Sequence, residues 1–470
     1  MTSAQSVGVA SQRDVTAIRE DVRHTSWASV VALALATLVI ASELTLSAFA
    51  LPLISSDLGI RSTATAWVLL AYTVPLVALA IPAGRWADQA DTRLVFLVSL
   101  LAVGLTSLIS AWAPSFELLM LGRVLQGLAA ALYLTVYMPV ISQTVRAAER
   151  GRAISIVATI MMLGSVGLAP LGGFVADLWG WRAVFLVKMP LLLVVLLLGY
   201  RVLPPADAHA SKPLLPLPTW GMLRDTLLIG SAMTALMLVL EGSSGFGATS
   251  LGLLMYAGLA VGVWCRLRTS QPVVRLLKHR SFGLAALALT LVAGIIGLMS
   301  FSLPFFVNDV LGQGPETLSY AMLGFVSIAA LISPVAGTLA DRFGAATIAT
   351  VGAALTTLGV LTMATLDADA TVIELVLTSA ATGAGMAVFN APVMAAMLQA
   401  SPAGQMGTSS GLAGVARMLG STIGPAIAAL AWHLAGGGVA GLHAGVYALA
   451  GLVFLGFVAM LFARRTPSPG

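Results

Sequence analysis

The chain has 470 residues, of which 59% are hydrophobic and only 9% are charged, and its formal net charge is +5. A soluble domain carries about 25% charged residues, so this composition excludes a soluble globular protein and indicates that lipid is the solvent. The apolar runs are about 20 residues long and do not alternate, which favours spanning helices over the ~10-residue strands of a membrane barrel.

The chain starts with a polar segment, residues 1–26, which lacks the apolar core and cleavage site of a signal peptide and is predicted to be a cytoplasmic tail. About fourteen apolar segments long enough to span a bilayer follow it. Their approximate windows are 27–53, 65–86, 93–113, 116–142, 152–176, 183–203, 222–241, 249–267, 282–307, 317–340, 345–366, 372–399, 406–432 and 443–463. The sequence therefore predicts an all-α integral membrane protein.

Basic residues are concentrated in alternate loops. The loops after the second, fourth, sixth, eighth and tenth segments are rich in Arg and Lys, whereas the other loops hold little beyond Arg61 and Arg182. By the positive-inside rule, this asymmetry predicts an even number of spans with both termini in the cytoplasm. The Ala-, Gly- and Leu-rich composition indicates a bacterial chain, so the expected location is the bacterial inner membrane.

The sequence contains an internal repeat. Residues 50–59 resemble residues 302–312, and residues 84–88 resemble residues 337–341, with nearly the same spacing between the two landmarks. A repeat in the same orientation predicts two parallel halves related about the membrane normal, which is a transporter design with the substrate site at the midplane between the halves.

The repeat and the spans together predict the organisation of the chain. A tail at 1–26 precedes a six-helix half at 27–203, and linkers with two extra spans occupy 204–281. A second six-helix half follows at 282–465, and the chain ends in a cytoplasmic tail at 466–470. The two extra spans are expected at the periphery, because they have no counterpart in the repeat.

Two equivalent loops share a glycine, an aspartate and a following arginine: Gly84, Asp88 and Arg93 in the first half, and Gly337, Asp341 and Arg342 in the second. Glycine allows two helix ends to approach closely. An aspartate can cap a helix N-terminus or pair with arginine, and so hold one conformation shut. The alternative is a charged loop that only sets topology.

The fourth predicted span contains Arg123, followed one turn later by Gln126. An arginine at the centre of a membrane helix costs at least about 2.5 kcal/mol, so it normally faces a cavity or a partner. We therefore expect Arg123 in the interior and Gln126 as a possible cavity residue. The alternative is an arginine that reaches the lipid surface.

The fifth span contains a run of small residues around a proline. Its key positions are Gly164, Gly167, Pro170, Gly172 and Gly173. Small residues permit tight helix contact, and proline bends a helix by removing a backbone hydrogen bond. The alternative is generic glycine packing.

Three more charged residues fall inside predicted spans. Glu43 is the only acid within the first span, and it either faces the interior or lies near the outer interface. Lys188 of the sixth span either lines a cavity or extends towards the lipid surface. Arg417 lies within the thirteenth span, and Lys188 joins Gln126 as a possible cavity residue.

These motifs resemble those of the major facilitator superfamily, in its fourteen-span drug/proton antiporter family, over roughly residues 27–465. The resemblance implies that the Gly84–Arg93 loop is a cytoplasmic gate motif and that the span-five glycines form the motif typical of exporters. It also implies that Arg123 and Glu43 take part in proton coupling, and that Arg417, which matches a basic position of the family, faces the cavity as a further possible cavity residue. The sequence departs from the family pattern at Gln89, where a basic residue is usual, and at Ala48, where asparagine is usual.

We therefore expect a proton-coupled antiporter that exports small amphipathic molecules by alternating access, functions as a monomer and is not an enzyme. No phosphate-binding loop, metal-ligand spacing or nucleic-acid signature occurs in the sequence, so no cofactor beyond the proton gradient and no nucleic-acid partner is expected. The alternatives are a dedicated metabolite permease or importer of the same fold, and a membrane receptor or scaffold that does not transport.

Overall fold

The computed structural model of the protein describes residues 24–60, 62–162, 164, 174–176, 178–204, 215–241, 248–313, 315–402 and 404–464. Within these ranges the chain forms helices joined by short connections and contains no strand. Lipid offers no hydrogen-bond partners, so a spanning segment must satisfy its own backbone, and a helix does this within one segment. The predicted all-helical class is confirmed.

The first half begins its helices at residues that can accept backbone hydrogen bonds. The side chains of Ser26, Asp91 and Ser115 each accept from an amide N–H of the following turn. The helices are α1 (Trp27–Asp57), α2 (Ser62–Ala87), α3 (Thr92–Ala111), α4 (Phe116–Thr144), α5 (Arg150–Met162), α6 (Trp181–Leu186) and α7 (Met189–Val202).

The rest of the chain forms nine more helices within the described residues. They are α8 (Trp220–Glu241), α9 (Ala248–Arg266), α10 (Gln271–Lys278), α11 (Arg280–Ala293), α12 (Pro315–Phe343), α13 (Ala345–Thr362), α14 (Val372–Gln399), α15 (Met406–Leu434) and α16 (Gly438–Arg464). After α11 the same span continues through two wider, π-helical turns on either side of Pro304. Proline lacks an N–H group, which shifts the local hydrogen-bond register.

Twelve helices in the described part of the chain are long and apolar enough to cross a membrane. The two remaining predicted windows are 27–53 and 152–176. In the first window the apolar stretch of α1 is counted only from Trp27 to Glu43, and the second runs past the end of α5 into residues that are not described. The count of fourteen therefore stays a prediction.

The two halves are joined at the end of the bundle that carries Asp88 and Asp341, which we call the gate-motif face. Here α2 packs against α15, and α5 packs against α12. A Cβ atom on Gly84 would lie 2.6 Å from the carbonyl oxygen of Gly407, and one on Gly337 would lie 2.5 Å from that of Gly151. Both gate-motif glycines thus mark a close helix contact across the halves.

The two extra helices lie at the periphery. Helix α8 packs against α2 and α9, and α9 packs against α8 and α10. Only 11% of the apolar window of α9 is buried, whereas 67% of that of α4 is. Helix α9 therefore presents nearly all of its apolar surface to the surroundings, as a lipid-facing helix does.

Candidate functional site

A buried polar cluster lies inside the first half. It consists of Glu43 on α1, Arg123 and Gln126 on α4, and Lys188 between α6 and α7. The exposed fractions of Arg123, Glu43 and Lys188 are 0%, 1% and 6%. Arg123 Nη1 donates to Glu43 Oε2 at 3.0 Å and to Gln126 Oε1 at 2.7 Å, and Lys188 forms an ion pair with Glu43 Oε1. Glu43 is therefore held between two cations.

Arg123 is supported by further contacts on its other sides. Its Nε donates to the carbonyl oxygen of Val68 at 3.0 Å, and its guanidinium lies 4.7 Å from the centre of the Tyr72 ring. Gln126 in turn donates to Ser107 Oγ at 2.8 Å. A buried charge is tolerated only when it is paired and hydrogen-bonded in this way. Arg123 thus faces the protein interior and does not reach the lipid surface.

Lys188 reaches Glu43 because the sixth span is interrupted there. Helix α6 ends at Leu186, and Lys188 precedes α7, which has Pro190 in its first turn. Proline is favoured at the start of a helix, where its missing N–H group has no helical partner to lose. Lys188 is therefore buried and does not extend towards the lipid surface.

The charges of the cluster do not cancel. Two cations face one carboxylate, so the cluster carries a formal charge of +1 when Glu43 is ionised. Protonating Glu43 in this arrangement would leave two buried cations without an anion, which is strongly unfavourable. In this arrangement the ionised Glu43 carboxylate is therefore the shared counter-ion of Arg123 and Lys188.

A cavity of about 190 Å³ lies between the two halves. Its wall comes from α1, α2, α4 and α5 on one side and from α14 and α15 on the other. Aromatic rings and thioethers form much of this wall: Tyr72, Tyr133, Tyr137, Met161, Met394 and Met418. The cavity thus lies between the halves, and its position at the midplane of the membrane stays a prediction.

Arg417 is the one charged side chain among the described residues of the cavity wall. Its Nη1 lies 3.3 Å from the sulfur of Met161, which is a weak acceptor. Gln126 and Lys188 were predicted as possible cavity residues together with Arg417, but they do not line this cavity. Their side chains are used inside the polar cluster, where Arg123 and Glu43 bind them.

Tyr72 connects the cavity with the cluster. Its ring lines the cavity and also lies against the Arg123 guanidinium. The residue is 1% exposed, and its hydroxyl has no hydrogen-bond partner among the described residues. Sequence analysis did not single out Tyr72, because a tyrosine in an apolar helix carries no signal of its own without the neighbouring arginine.

Asp88 closes the gate-motif face from the first half. Its carboxylate accepts hydrogen bonds from the amide of Gly407 at 2.6 Å, and from the amide and hydroxyl of Thr408 at 3.0 and 2.5 Å. These amides belong to the first turn of α15, where the helix dipole favours a negative charge. Asp88 therefore caps a helix of the opposite half.

Asp341 makes the equivalent contact from the second half. It accepts from the amides of Gly151 at 2.7 Å and Arg152 at 2.9 Å, in the first turn of α5. The two aspartates thus form a reciprocal pair of caps across the halves. The sequence predicted the capping role but not its direction, since the motif alone does not say which helix end is nearest.

Replacing Asp88 and Asp341 together by asparagine is expected to shift the protein away from the state closed at the gate-motif face. Each change removes the negative charge and replaces one of the two acceptor oxygens by an NH2 group. Hydrogen bonds to a charged group are worth about 1.5–3 kcal/mol apiece, so we expect at least a tenfold change in the ratio of access from the two sides. Labelling of a cavity cysteine by an impermeant thiol reagent would measure this ratio.

The matched control is Asp91→Asn. Asp91 belongs to the same loop but caps its own helix, accepting from the Leu94 amide at 2.8 Å. This control should leave the ratio unchanged. Equal ratios in the double variant and the wild type would contradict the capping role.

The arginines of the two gate motifs do not make the cross-half contacts found for the aspartates. Arg93 binds the carbonyl oxygen of Tyr200 and lies 4.6 Å from its ring centre, within the first half. Arg342 is exposed and lies 5.3 Å from the ring centre of Phe343. The partners of Asp88 and Asp341 across the halves are thus backbone amides and the Thr408 hydroxyl, and not these arginines.

The span-five motif is described only at its start. Gly164 is buried, and a Cβ atom there would clash with the side chain of Leu38 on α1. The other predicted motif positions lie outside the described residues: Gly167, Pro170, Gly172 and Gly173. Close packing of α1 on this span is thus present at Gly164, and the rest of the motif stays a prediction.

Asp225 is a buried acid that sequence analysis missed. This α8 residue is 0% exposed and accepts from Arg85 at 2.5 Å, while Thr269 donates to it at 3.0 Å. Arg85 directly follows the gate-motif glycine Gly84 on α2. The ion pair therefore connects the extra helix α8 to α2. The available signal was an aspartate inside an apolar segment, which normally has a partner.

Replacing Asp225 by asparagine is expected to lower the melting temperature in detergent by several degrees. The change leaves Arg85, whose side chain is only 18% exposed, without its counter-ion, and an uncompensated charge in such a place is strongly destabilising. Intrinsic fluorescence during heating would measure the midpoint.

The matched control for that experiment is Asp309→Asn, because Asp309 is exposed and its described partner is the adjacent Asn308. Adding Arg85→Gln to Asp225→Asn should restore part of the lost melting temperature, since the unpaired positive charge of Arg85 is then removed as well. A midpoint equal to that of the wild type for Asp225→Asn would contradict a stabilising role for the pair.

A family model and several curated relatives match most of the chain. The Major Facilitator Superfamily model matches residues 33–308 and 285–470. The riboflavin transporter RibZ of Clostridioides difficile (strain 630) is 25% identical over 386 residues, covering 80% of this chain and 81% of RibZ. The multidrug resistance protein Stp of Mycobacterium tuberculosis (strain ATCC 25618 / H37Rv) is 28% identical over 387 residues, covering 80% of this chain and 70% of Stp.

The fold is also shared with a solved structure. The proton:xylose symporter XylE matches with a TM-score of 0.65 at 16% sequence identity, over 94% of this chain and 96% of the XylE chain. At this identity the likeness concerns the fold alone.

Proposed function

Because this chain belongs to the major facilitator superfamily, we propose that it is a proton-coupled antiporter that exports small amphipathic molecules. It spans the bacterial inner membrane fourteen times, with both termini in the cytoplasm, and works as a monomer by alternating access. In this orientation the gate-motif face is the cytoplasmic face. The substrate passes through the cavity between the halves, and the proton gradient supplies the energy.

The observation that carries this proposal is the position of Glu43 between Arg123 and Lys188. Only the ring of Tyr72 separates Arg123 from the cavity. The ionised carboxyl holds both cations while the gate-motif face is closed. A movement of α1 relative to α4 that separates Glu43 from one cation makes it a proton acceptor. Proton uptake and release are thereby linked to the change of conformation.

The two reciprocal caps supply the conformational part of the cycle. While Asp88 and Asp341 hold the first turns of α15 and α5, the cytoplasmic entrance is shut. Breaking both caps allows the halves to separate there and admits substrate from the cytoplasm. The membrane potential contributes about 2.3 kcal/mol per proton charge for each 100 mV, which drives the return.

The direction of transport is supported by Stp, which is named for multidrug resistance, and by the span-five motif read from the sequence. RibZ is named as a riboflavin transporter, and this name favours a dedicated metabolite permease as the second candidate. The two candidates differ in the range of compounds accepted and in the direction of net movement.

The test uses inside-out vesicles from an expressing strain, offered fluorescent dyes of positive, neutral and negative charge. Export appears as dye accumulation in the lumen when the lumen is made acid, and an uncoupler collapses it. Release of luminal protons on dye addition would support antiport. Accumulation that is indifferent to the pH gradient contradicts proton coupling, and uptake of a single metabolite in right-side-out vesicles would support the permease.

A further inference from the structure

We propose that the cavity between the halves binds a compact aromatic anion, with Arg417 as the group that recognises its negative charge. This inference depends on the proposed function only in taking this cavity as the substrate site. It concerns the chemical class of the ligand and does not depend on proton coupling or on the direction of transport.

The described wall of the cavity is positively charged. Arg417 is the one charged group in the described wall, and its described polar contact is the weakly accepting sulfur of Met161. A guanidinium in apolar surroundings is poorly compensated by such a neighbour, and a carboxylate, sulfonate or phenolate would satisfy it through charge-assisted hydrogen bonds.

The neighbouring polar cluster adds to the same potential. It contributes a formal charge of +1 from Glu43, Arg123 and Lys188, and only the Tyr72 ring lies between Arg123 and the cavity. A cationic ligand would therefore meet positive charge from two directions in a poorly screened interior. An anion is attracted by both.

The hydroxyl of Tyr72 is a second, independent indication of a polar ligand group. It is buried without a partner in the described part of the chain. Leaving such a group unpaired costs about 1–3 kcal/mol. By contrast, the hydroxyl of Tyr133, another wall residue, is hydrogen-bonded to Thr37 at 2.6 Å and to the Leu33 carbonyl at 2.9 Å. Tyr72 therefore has a donor to offer to an oxygen of the ligand.

The tyrosine and methionine side chains of the cavity wall indicate that the ligand is aromatic and small. Tyrosine rings stack on aromatic ligands, and methionine sulfur makes favourable contacts with ring edges. The volume of about 190 Å³ is below the ~300–1,000 Å³ of pockets for drug-sized ligands. In this conformation the cavity therefore suits a ligand of one or two rings.

The experiment measures equilibrium binding to the full-length purified protein without any gradient, using three probes on one ring system: naphthoate, naphthamide and naphthylmethylammonium. We expect naphthoate to bind at least about tenfold more tightly than the amide, and the cation to bind more weakly than the amide. Arg417→Gln should remove the preference for naphthoate and leave amide binding nearly unchanged, while Arg417→Lys should retain part of it.

The matched control is Arg280→Gln at the exposed start of α11, which should bind all three probes like the wild type. Tyr72→Phe should weaken naphthoate about threefold or more while leaving Arg417 in place. Equal affinities for the three probes in the wild type, or tightest binding of the cation, would overturn the proposal even if Arg417→Gln fails to fold. Loss of proton-driven transport with the naphthoate preference intact would count against the proposed function and leave this inference standing.

Discussion

Glu43→Gln is expected to abolish proton-driven accumulation of substrate, reducing its initial rate at least about tenfold in energised vesicles. Glutamine keeps the size of the side chain but can neither hold a negative charge nor bind a proton. Glu43→Asp keeps the carboxyl with a shorter reach and should retain part of the activity. A carboxyl that served only as an interfacial anchor would tolerate both changes.

The single variant Glu43→Gln leaves Arg123 and Lys188 buried without an anion. Breaking a buried pair in this way costs about 3–5 kcal/mol, so Glu43→Gln is expected to melt earlier than the wild type. The double variant Glu43→Gln/Lys188→Met returns the formal charge of the cluster to +1. It should regain thermal stability and still lack proton coupling.

Downhill exchange of labelled substrate separates coupling from folding. The double variant should carry out this exchange at a rate near that of the wild type, since the cavity and the gate residues are unchanged. If it still accumulates substrate against a gradient and still loses that ability with an uncoupler, the proton is carried by another group. If it melts like Glu43→Gln, the charge argument for the cluster fails.

Much of this arrangement could be predicted from the sequence, for a physical reason. Apolar runs of spanning length predicted the helices, and the internal repeat predicted that Asp88 and Asp341 would be equivalent, as the reciprocal caps are. A charged residue inside an apolar span needs a partner, which made the interior the expected place for Arg123 and one of two alternatives for Glu43. Each of these inferences uses information that is local along the chain.

What could not be predicted depends on which helices are neighbours. Lys188 pairs with Glu43 because the sixth span breaks beside α1, and no feature of either helix alone indicates that distance. Asp225 pairs with Arg85 although 140 residues separate them along the chain. Gln126 looked like a cavity residue because it shares a helix face with Arg123, but Ser107 and Arg123 bind its amide inside the cluster. Such contacts are set by tertiary packing.

The close helix contacts at the gate-motif face lead to the second large effect. Gly84→Leu and Gly337→Leu are each expected to reduce transport to background, because the closed state has no room for a side chain at either position. A Cβ atom at Gly84 would already lie 2.6 Å from the Gly407 oxygen. A leucine must force α2 from α15, or α12 from α5, and so hold the halves apart on that side.

The control and the readout follow from the same geometry. A Cβ atom at Gly451 on α16 would lie more than 4 Å from every other helix of the described chain, so Gly451→Leu should transport normally. Accessibility is measured in a Cys265→Ala background, which removes the single native cysteine, with a new cysteine at the cavity residue Ala413. Both gate variants should label faster than the wild type from the gate-motif face and more slowly from the opposite face. Active transport by a well-expressed Gly337→Leu protein would show that this contact is not needed in the cycle, and unchanged labelling would show that the glycines do not control closure.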